Sequence, residues 1–293
     1  MQSLTDADDR CLAKSWIPPE LAAAAGIFRV DTFQGAELVG KKPGSGNFAG
    51  LVFPYRSPLD DSVSLSRLRR DQPDLSWENG RLREKNKYLS PPGRQNKIYY
   101  PPRTEAAWLS DANVPVFLTE GEKKTLALRR YCDLKGKPRL VMGLAGVWNW
   151  RTKVGRKPGP GYGEWEDVKG PLPEFDRLAW LNRHVVLLFD ANVRTNPEVN
   201  RARVELAKEL TGRGALVHFV DVPEISGING VDDFLAAFGP QALGKCLASA
   251  EIYRDPVREA AAANAFFKAA VAAARQRARQ TGPLNPATAS TAA

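Results

Sequence analysis

The strongest constraint on how this chain can fold is a pattern repeated between residues 105 and 245. A short, mainly apolar run is followed by a polar turn and then by a stretch of helical character. The apolar runs are 114–119, 139–142, 184–189 and 215–220; the helical stretches are 122–132, 175–182, 197–211 and 231–237. Mainly apolar runs bounded by turn signals predict strands covered on both faces. Strands that alternate with helices predict βαβ units and a parallel sheet flanked by helices, so the expected fold class is α/β.

In sheets of this kind ligands gather at the carboxyl ends of the strands. Three acidic features fall there. Glu120 follows the first run, Asp190 follows the third with Asn192 two residues on, and Asp232-Asp233 follows the Gly227-Ile-Asn-Gly230 turn. Carboxylates converging in that crevice suit Mg²⁺ or Mn²⁺, which prefer hard oxygen ligands and bind substrate phosphates. Acidic residues at helix starts also act as caps, and Asp232 reads as an N-cap with Asp233 supporting the helix dipole. Lys123 is placed to contact a phosphate, while Lys124 reads as part of a solvated helix face. The Gly143-Leu-Ala-Gly146 turn suits either a tight turn or a close backbone approach to a ligand.

Other site types are excluded by composition. Cys11, Cys132 and Cys246 are too scattered for a zinc ribbon or a disulfide framework, and His184 and His218 are the only histidines. Any metal therefore rests on oxygen. The segment Gly35-Ala-Glu-Leu-Val-Gly40-Lys41-Lys42 nearly fits a P-loop. However, Lys42 stands where a hydroxyl is needed and Pro43 obstructs the following helix. No stretch approaches the roughly 20 apolar residues of a membrane span, and the polar start is unlike a secretory signal, so the expected setting is cytoplasmic.

The 293 residues carry 42 Lys+Arg against 33 Asp+Glu, a formal charge of +9, which suits a polyanionic partner. The cations cluster. Arg67, Arg69 and Arg70 share one segment; Arg81, Arg83, Lys85 and Lys87 alternate in another, with Trp77, Tyr88, Tyr99 and Tyr100 nearby. Basic residues interleaved with aromatics suit a track for single-stranded nucleic acid, and a solvated basic surface is the plainer alternative.

The chain is expected to divide into a flexible lead-in (1–15), a small α+β module (16–104), the α/β domain (105–245), a C-terminal helical segment (246–280) and a disordered, low-complexity tail (281–293). Residues 148–173, with Arg151, Lys153, Arg156 and Lys157, read as a long structureless loop, which inside a compact domain is usually functional or mobile.

The order of acidic motifs resembles the Toprim domain shared by bacterial-type primases, topoisomerases and some nucleases. Thr119-Glu120-Gly121-Glu122-Lys123-Lys124 resembles its first motif and Phe189-Asp190-Ala191-Asn192 its second. Together with Gly143-Leu-Ala-Gly-Val147 and Gly230-Val-Asp-Asp-Phe-Leu235, the pattern is most similar to a Toprim-like family of little assigned function found in plasmid and phage replication proteins. Upstream, Gly50-Leu-Val-Phe-Pro-Tyr-Arg-Ser57, Lys87-Tyr-Leu-Ser90 and Ile98-Tyr-Tyr100 are similar to the N-terminal half of the primase catalytic core.

The resemblance implies a Toprim-like sheet preceded by a primase-like N-terminal subdomain. It implies Mg²⁺- or Mn²⁺-dependent nucleotidyl transfer on single-stranded DNA, or RNA, using nucleoside triphosphates. Glu120 and Asp190 are then catalytic, and Glu120, Asp190, Asn192 and Asp232 hold the metal. Lys123, Arg67, Arg69, Arg70 and Lys87 face the nucleic acid. Asn192 replaces the family's usual second Asp, which lowers the negative charge at the metal. No zinc module and no helicase motor are legible, so a separate helicase is an expected partner. A metal-dependent nuclease and a non-catalytic DNA-binding accessory are the alternatives.

Overall fold

A computed structural model describes residues 2–78 and 80–280. The described residues fall into two compact units, divided between Tyr253 and Arg254.

The first unit opens with α1 (Asp6–Ala13) and α2 (Pro19–Ala24), then β1 (Phe28–Val30), α3 (Thr32–Leu38), β2 (Gly50–Arg56) and β3 (Val63–Arg70). An exposed hairpin of β4 (Asp74–Glu78) and β5 (Arg81–Lys85) precedes the short β6 (Tyr88–Leu89). Strands β1-β2-β3-β6 form an antiparallel sheet in that order. Residues 6–13, inside the stretch read as a flexible lead-in, are helical. A capping box between Thr5 and Asp8 starts α1, and Leu12 is buried against Leu51, Phe53 and Tyr55 of β2.

The α/β half contains α4 (Ala107–Ser110), β7 (Val116–Glu120), α5 (Glu122–Lys135), β8 (Leu140–Leu144), β9 (Arg151–Pro158), β10 (Trp165–Pro171) and β11 (His184–Leu188). It continues through α6 (Pro197–Gly212), β12 (Leu216–Phe219), α7 (Val231–Ala248) and β13 (Glu251–Ile252). The main sheet runs β13-β12-β11-β7-β8, with every pair parallel except β12–β13. This is the mixed α/β architecture with a helix-flanked parallel sheet that the sequence implied.

Alternation along β7 shows how both faces are filled. Val116 and Leu118 join Leu206 and Leu210 of α6, whereas Phe117 joins Ala127 and Leu128 of α5 and Phe234 and Leu235 of α7. On α5, Leu126 belongs instead to the core that contains β2. One helix therefore locks the two sheets together, and the end of β7 faces the antiparallel sheet.

Three local expectations are revised. Residues 148–173 are not structureless: β9 and β10 form an antiparallel hairpin with an irregularity between Val168 and Lys169. Most of its side chains are exposed, so neither face carries the apolar alternation that marks a half-buried strand. Residues 175–182 are not an α-helix. A 3-10 turn at Pro173–Arg177 ends where Phe175 and Trp180 pack edge to face, and Arg183 then donates to the backbone carbonyls of Val114, Leu109, Ala179 and Trp108. Asp232 is not an N-cap. Gly230 holds that position, and Asp232 lies buried in the first turn of α7. Helix α7 also continues past residue 237, with a break at Gly239 (φ 74°) before Pro240.

Among the described residues, no helix is long and apolar enough to cross a membrane. In the second unit, α8 (Pro256–Gln280) is capped by Asp255, whose side chain accepts from the Val257 N–H at 3.0 Å. The tail read at 281–293 lies outside the described residues.

Candidate functional site

Strand β7 ends at Glu120, and Gly121 turns the chain directly into α5. Its positive φ of 85° is one an L side chain rarely adopts, and its N–H donates to the Leu144 carbonyl at 2.7 Å. Thr125 closes the turn from the next helical level, its hydroxyl donating to the Gly121 carbonyl at 2.7 Å. Gly143 completes the packing: a Cβ there would stand 2.2 Å from the Thr125 hydroxyl oxygen. The Gly143-Leu-Ala-Gly146 turn thus has its close approach from a protein side chain.

Asp190 leaves the adjacent strand β11 at the same edge of the sheet. The Ala191 N–H donates to the Asn229 carbonyl at 2.9 Å, tying this turn to the loop before α7. Asp233 closes that loop by accepting from the Asn229 N–H at 3.0 Å. Three chain segments thereby bring Glu120, Asp190 and Asp232 around one cation, the ammonium of Lys124. Its Nζ lies 2.5 Å from Asp190 Oδ1, and the fields of Glu120 and Asp232 also act on it. Gly230 makes room for this side chain, since a Cβ there would stand 2.3 Å from Lys124 Cε.

The electrostatics follow from this enclosure. Burial alone would lower the Lys124 pKa, but Asp190, Glu120 and Asp232 overcome it and hold the ammonium protonated. Burial raises the Glu120 pKa; Lys124 and Arg67 oppose that, while Asp190 and Glu122 add to it. Burial likewise raises Asp232, with the like charge of Asp233 contributing and Lys124 opposing. The Oδ1 atom of Asp232 is buried without a hydrogen-bond partner. Burial lowers the Lys123 pKa, against the field of Asp232.

Behind Glu120 lies a second buried cluster. Glu122 accepts a 2.6 Å hydrogen bond from the Tyr55 hydroxyl and pairs with Arg67 at 3.1 Å. The Arg67 guanidinium also stacks 4.9 Å from the Tyr88 ring centre. Arg67 is therefore turned inward, with its side chain 13% exposed. Arg70 is buried too, donating to the Asn47 carbonyl and to Asp74, both at 2.8 Å. Arg69 and Lys87 remain partly exposed, and Lys87 pairs with Glu84 at 2.6 Å. Asn192 is exposed on the 3-10 turn after Asp190, whose Ala191 and Val193 are buried, and its carbonyl accepts from the Thr195 and Asn196 N–H groups.

Sequence reasoning assigned Lys124 to solvent; it is instead the central cation, 17% exposed. Glu120 ends β7 and lies outside α5, so no helical i,i+4 spacing signalled the role of Lys124. Glu122 and Tyr55 were not singled out, and their contact spans 67 positions of sequence. Among the described residues, no group of three or more His, Cys, Asp or Glu side chains is arranged to hold a metal ion.

Comparison with known proteins adds a partial match. Residues 106–242 match a family described as a domain of unknown function (DUF3854). No curated protein matches the chain. Among solved structures, the zinc-binding and RNA polymerase domains of the Aquifex aeolicus primase are similar with a TM-score of 0.54 and 15% identity, over 85% of this chain and 57% of that one. This chain therefore spans little more than half the length of that relative. A chain of the bacteriophage T7 assembly of lagging-strand DNA polymerase with primase domains of two gp4 subunits, an RNA/DNA hybrid and dTTP gives a TM-score of 0.46. It is 13% identical over 86% of this chain and 94% of that one. At the identity seen with the Aquifex protein the likeness is one of fold: an antiparallel module followed by a helix-flanked parallel sheet makes this a primase-like fold.

Proposed function

We propose that this chain is a primase-like replication protein that binds single-stranded DNA and carries a Toprim-like, Mg²⁺- or Mn²⁺-dependent nucleotidyl-transfer site at Glu120 and Asp190. The observation that carries the reading is the cation-demanding field at the sheet edge, expressed by the Lys124 ammonium 2.5 Å from Asp190 Oδ1. Carboxylates at the ends of neighbouring parallel strands are where this architecture places phosphate chemistry.

The donors suit a hard divalent ion. Glu120, Asp190 and Asp232 offer carboxylate oxygens, one of them the unpartnered Asp232 Oδ1. They would hold Mg²⁺ or Mn²⁺ once Lys124 swings aside, with the Asn192 amide as a further oxygen donor. A bound ion would neutralise charge on the reacting phosphates. Lys124, so released, and Lys123 would meet the phosphates of a nucleoside triphosphate, and Arg69 and Lys87 the backbone of the strand. Arg67 and Arg70 act from within, fixing Glu122 and the end of β3. The reading places the protein in the replication apparatus of a plasmid or phage, in the cytoplasm, with a separate helicase as partner.

The test is extension of a labelled single strand by nucleoside triphosphates with Mg²⁺ or Mn²⁺, in wild type and Asp190→Ala. Longer products from wild type alone support the reading. Metal-dependent shortening would instead mean a nuclease. The Lys124–Asp190 pair specifically favours one other reading, a DNA-binding accessory that needs no metal. That reading predicts no products and salt-sensitive binding that persists in EDTA.

A further inference from the structure

The β9–β10 hairpin is a large feature that the proposed site does not use; along its length Asp167 and Glu166 pair with Lys153, Arg156 and Lys157, and the unbalanced positive charge gathers at its root. A cleft of about 670 Å³ opens at its root, within the size range of ligand sites. Five cations line it: Arg94 from the loop after β6, Arg151 and Lys153 from β9, Lys169 from β10, and Arg201 from α6. None of the lining residues is acidic.

Its root is held in shape from within the protein. The Asn96 side chain donates to the Arg151 carbonyl at 3.1 Å, fastening the 93–96 loop to the hairpin. Guanidinium planes are fixed on indoles, Arg151 over Trp150 at 5.4 Å and Arg201 over Trp148 at 5.5 Å. Lys153 and Lys169 stand directly opposite each other across the ribbon, an arrangement that costs stability when left unmatched. Lys153 has Asp167 at 2.6 Å and Arg201 has Glu198 at 2.7 Å. Among the described residues no carboxylate pairs with Arg94, Arg151 or Lys169. The Arg151 guanidinium donates only to the Lys169 carbonyl, at 3.4 Å, so these three cations, one of them facing Lys153 across the ribbon, call for an anion from outside the chain.

The far end of the hairpin identifies which anion. Tyr162 is fully exposed and Trp165 is 63% exposed. Cations at the root and bare aromatic rings at the tip form the combination that tracks a phosphate backbone while bases stack. A free nucleotide would use the cleft and leave the tip idle.

We propose that the β9–β10 hairpin and the 93–96 loop form a path for single-stranded nucleic acid. Phosphates run through the Arg94–Arg151–Lys169 cleft, and bases stack on Tyr162 and Trp165. The proposal rests on the nucleic-acid-binding reading above, and it adds a contact surface distinct from Glu120, Asp190, Arg69 and Lys87.

The test is fluorescence anisotropy with a labelled oligothymidylate of about 20 nucleotides, long enough for the usual single-strand site sizes, over a series of salt concentrations. Each phosphate contact contributes about −0.7 to the slope of log K against log salt on single strands. Replacing Arg94, Arg151 and Lys169 by Gln should therefore flatten the slope by about 2. Because Arg151 packs on Trp150, the double variant Arg94→Gln/Lys169→Gln is measured as well and should flatten it by about 1.4. Tyr162→Ala/Trp165→Ala should weaken binding about tenfold or more with the slope unchanged.

Slopes equal to wild type in both charge variants overturn this path while leaving the nucleic-acid-binding reading intact. A wild type that binds no strand at any salt overturns both. A nucleoside triphosphate whose binding is weakened by Arg94→Gln/Lys169→Gln while strand binding keeps its wild-type slope makes the cleft a nucleotide site and likewise overturns the path.

Discussion

Lys124 Nζ lies 2.5 Å from Asp190 Oδ1, and its stem crosses Gly230 to get there. A helix that follows one strand thus supplies the counter-charge for a carboxylate at the end of the next. Glu120 and Asp232 act on the same ammonium, so a single flexible side chain is the cation shared by three acids from three segments. A lysine can leave such a position by rotating its stem, which a fixed backbone group cannot do.

Lys124→Met removes the ammonium and keeps most of the stem. Two partly buried carboxylates and a buried Asp232 then lose the cation they share, leaving Glu120 the field of Arg67 and Asp232 that of Lys123. Thermal stability should fall by about 1–3 kcal/mol, less than for a fully buried pair because Asp190 is 29% exposed. Millimolar Mg²⁺ or Mn²⁺ should restore the lost stability in the variant and change wild type far less. A melting curve taken with and without metal measures both. A variant that metal does not stabilise would show that the three carboxylates cannot share an ion.

Gly230→Ala tests the same geometry without changing charge. The backbone there is extended and accepts any residue, but the new methyl occupies the place of the Lys124 stem. Lys124 should swing away from Asp190, and the variant should acquire part of the metal response expected of Lys124→Met. A crystal structure of the variant would show the displaced side chain directly.

The legible parts of this fold were those whose environment is written locally. Residues 114–118 and 185–189 are apolar without interruption because both faces of β7 and β11 are covered, and that pattern alone carries the parallel sheet. Glu120 and Asp190 were legible for the same reason, as the first charges after those runs. The β9–β10 ribbon was not, because solvent on most of its surface leaves no hydrophobic period to read. Lys124 was misassigned because nothing within its own helix records that Gly230, over 100 positions away, leaves room for its stem. Arg67 and Arg70 read as surface cations for a similar reason: Glu122 and the Tyr88 ring hold Arg67, and the Asn47 carbonyl and the Phe48 ring hold Arg70, all from other segments of the chain.

The buried triad of Tyr55, Glu122 and Arg67 separates structural from ligand-facing arginines. Glu122 is 1% exposed and has two charge-stabilising partners. Tyr55→Phe should cost about 1.5–3 kcal/mol in urea unfolding, the usual worth of a hydrogen bond to a charged group. Arg67→Met should cost more, about 3–5 kcal/mol, because it strands a buried carboxylate. Arg69→Gln should leave stability within about 0.5 kcal/mol and weaken binding to single-stranded DNA instead. An Arg67 variant that unfolds normally but loses DNA binding would place its guanidinium on the ligand rather than on Glu122.

The N-terminal helix is anchored by charge, and its pH dependence follows from one carboxylate. Burial would raise the Asp8 pKa, but hydrogen bonds from Arg29 and Thr5 outweigh it and hold it down at about 2. Arg29 is shared with Asp71, at 2.7 Å, so α1, β1 and the end of β3 meet at this ion pair. A carboxyl whose pKa is lower in the folded protein than its ordinary 3.8 stabilises the fold above that value, and the contribution is lost as pH falls through about 2. Asp8→Asn should therefore cost about 1–2 kcal/mol at neutral pH, after allowance for solvent screening of the pair. Measured at pH 2 and below, the variant and wild type should converge. Urea titrations at several pH values would show it, and a penalty that stayed constant down to pH 2 would mean that the capping hydrogen bond to Thr5, rather than the charge, is what Asp8 supplies.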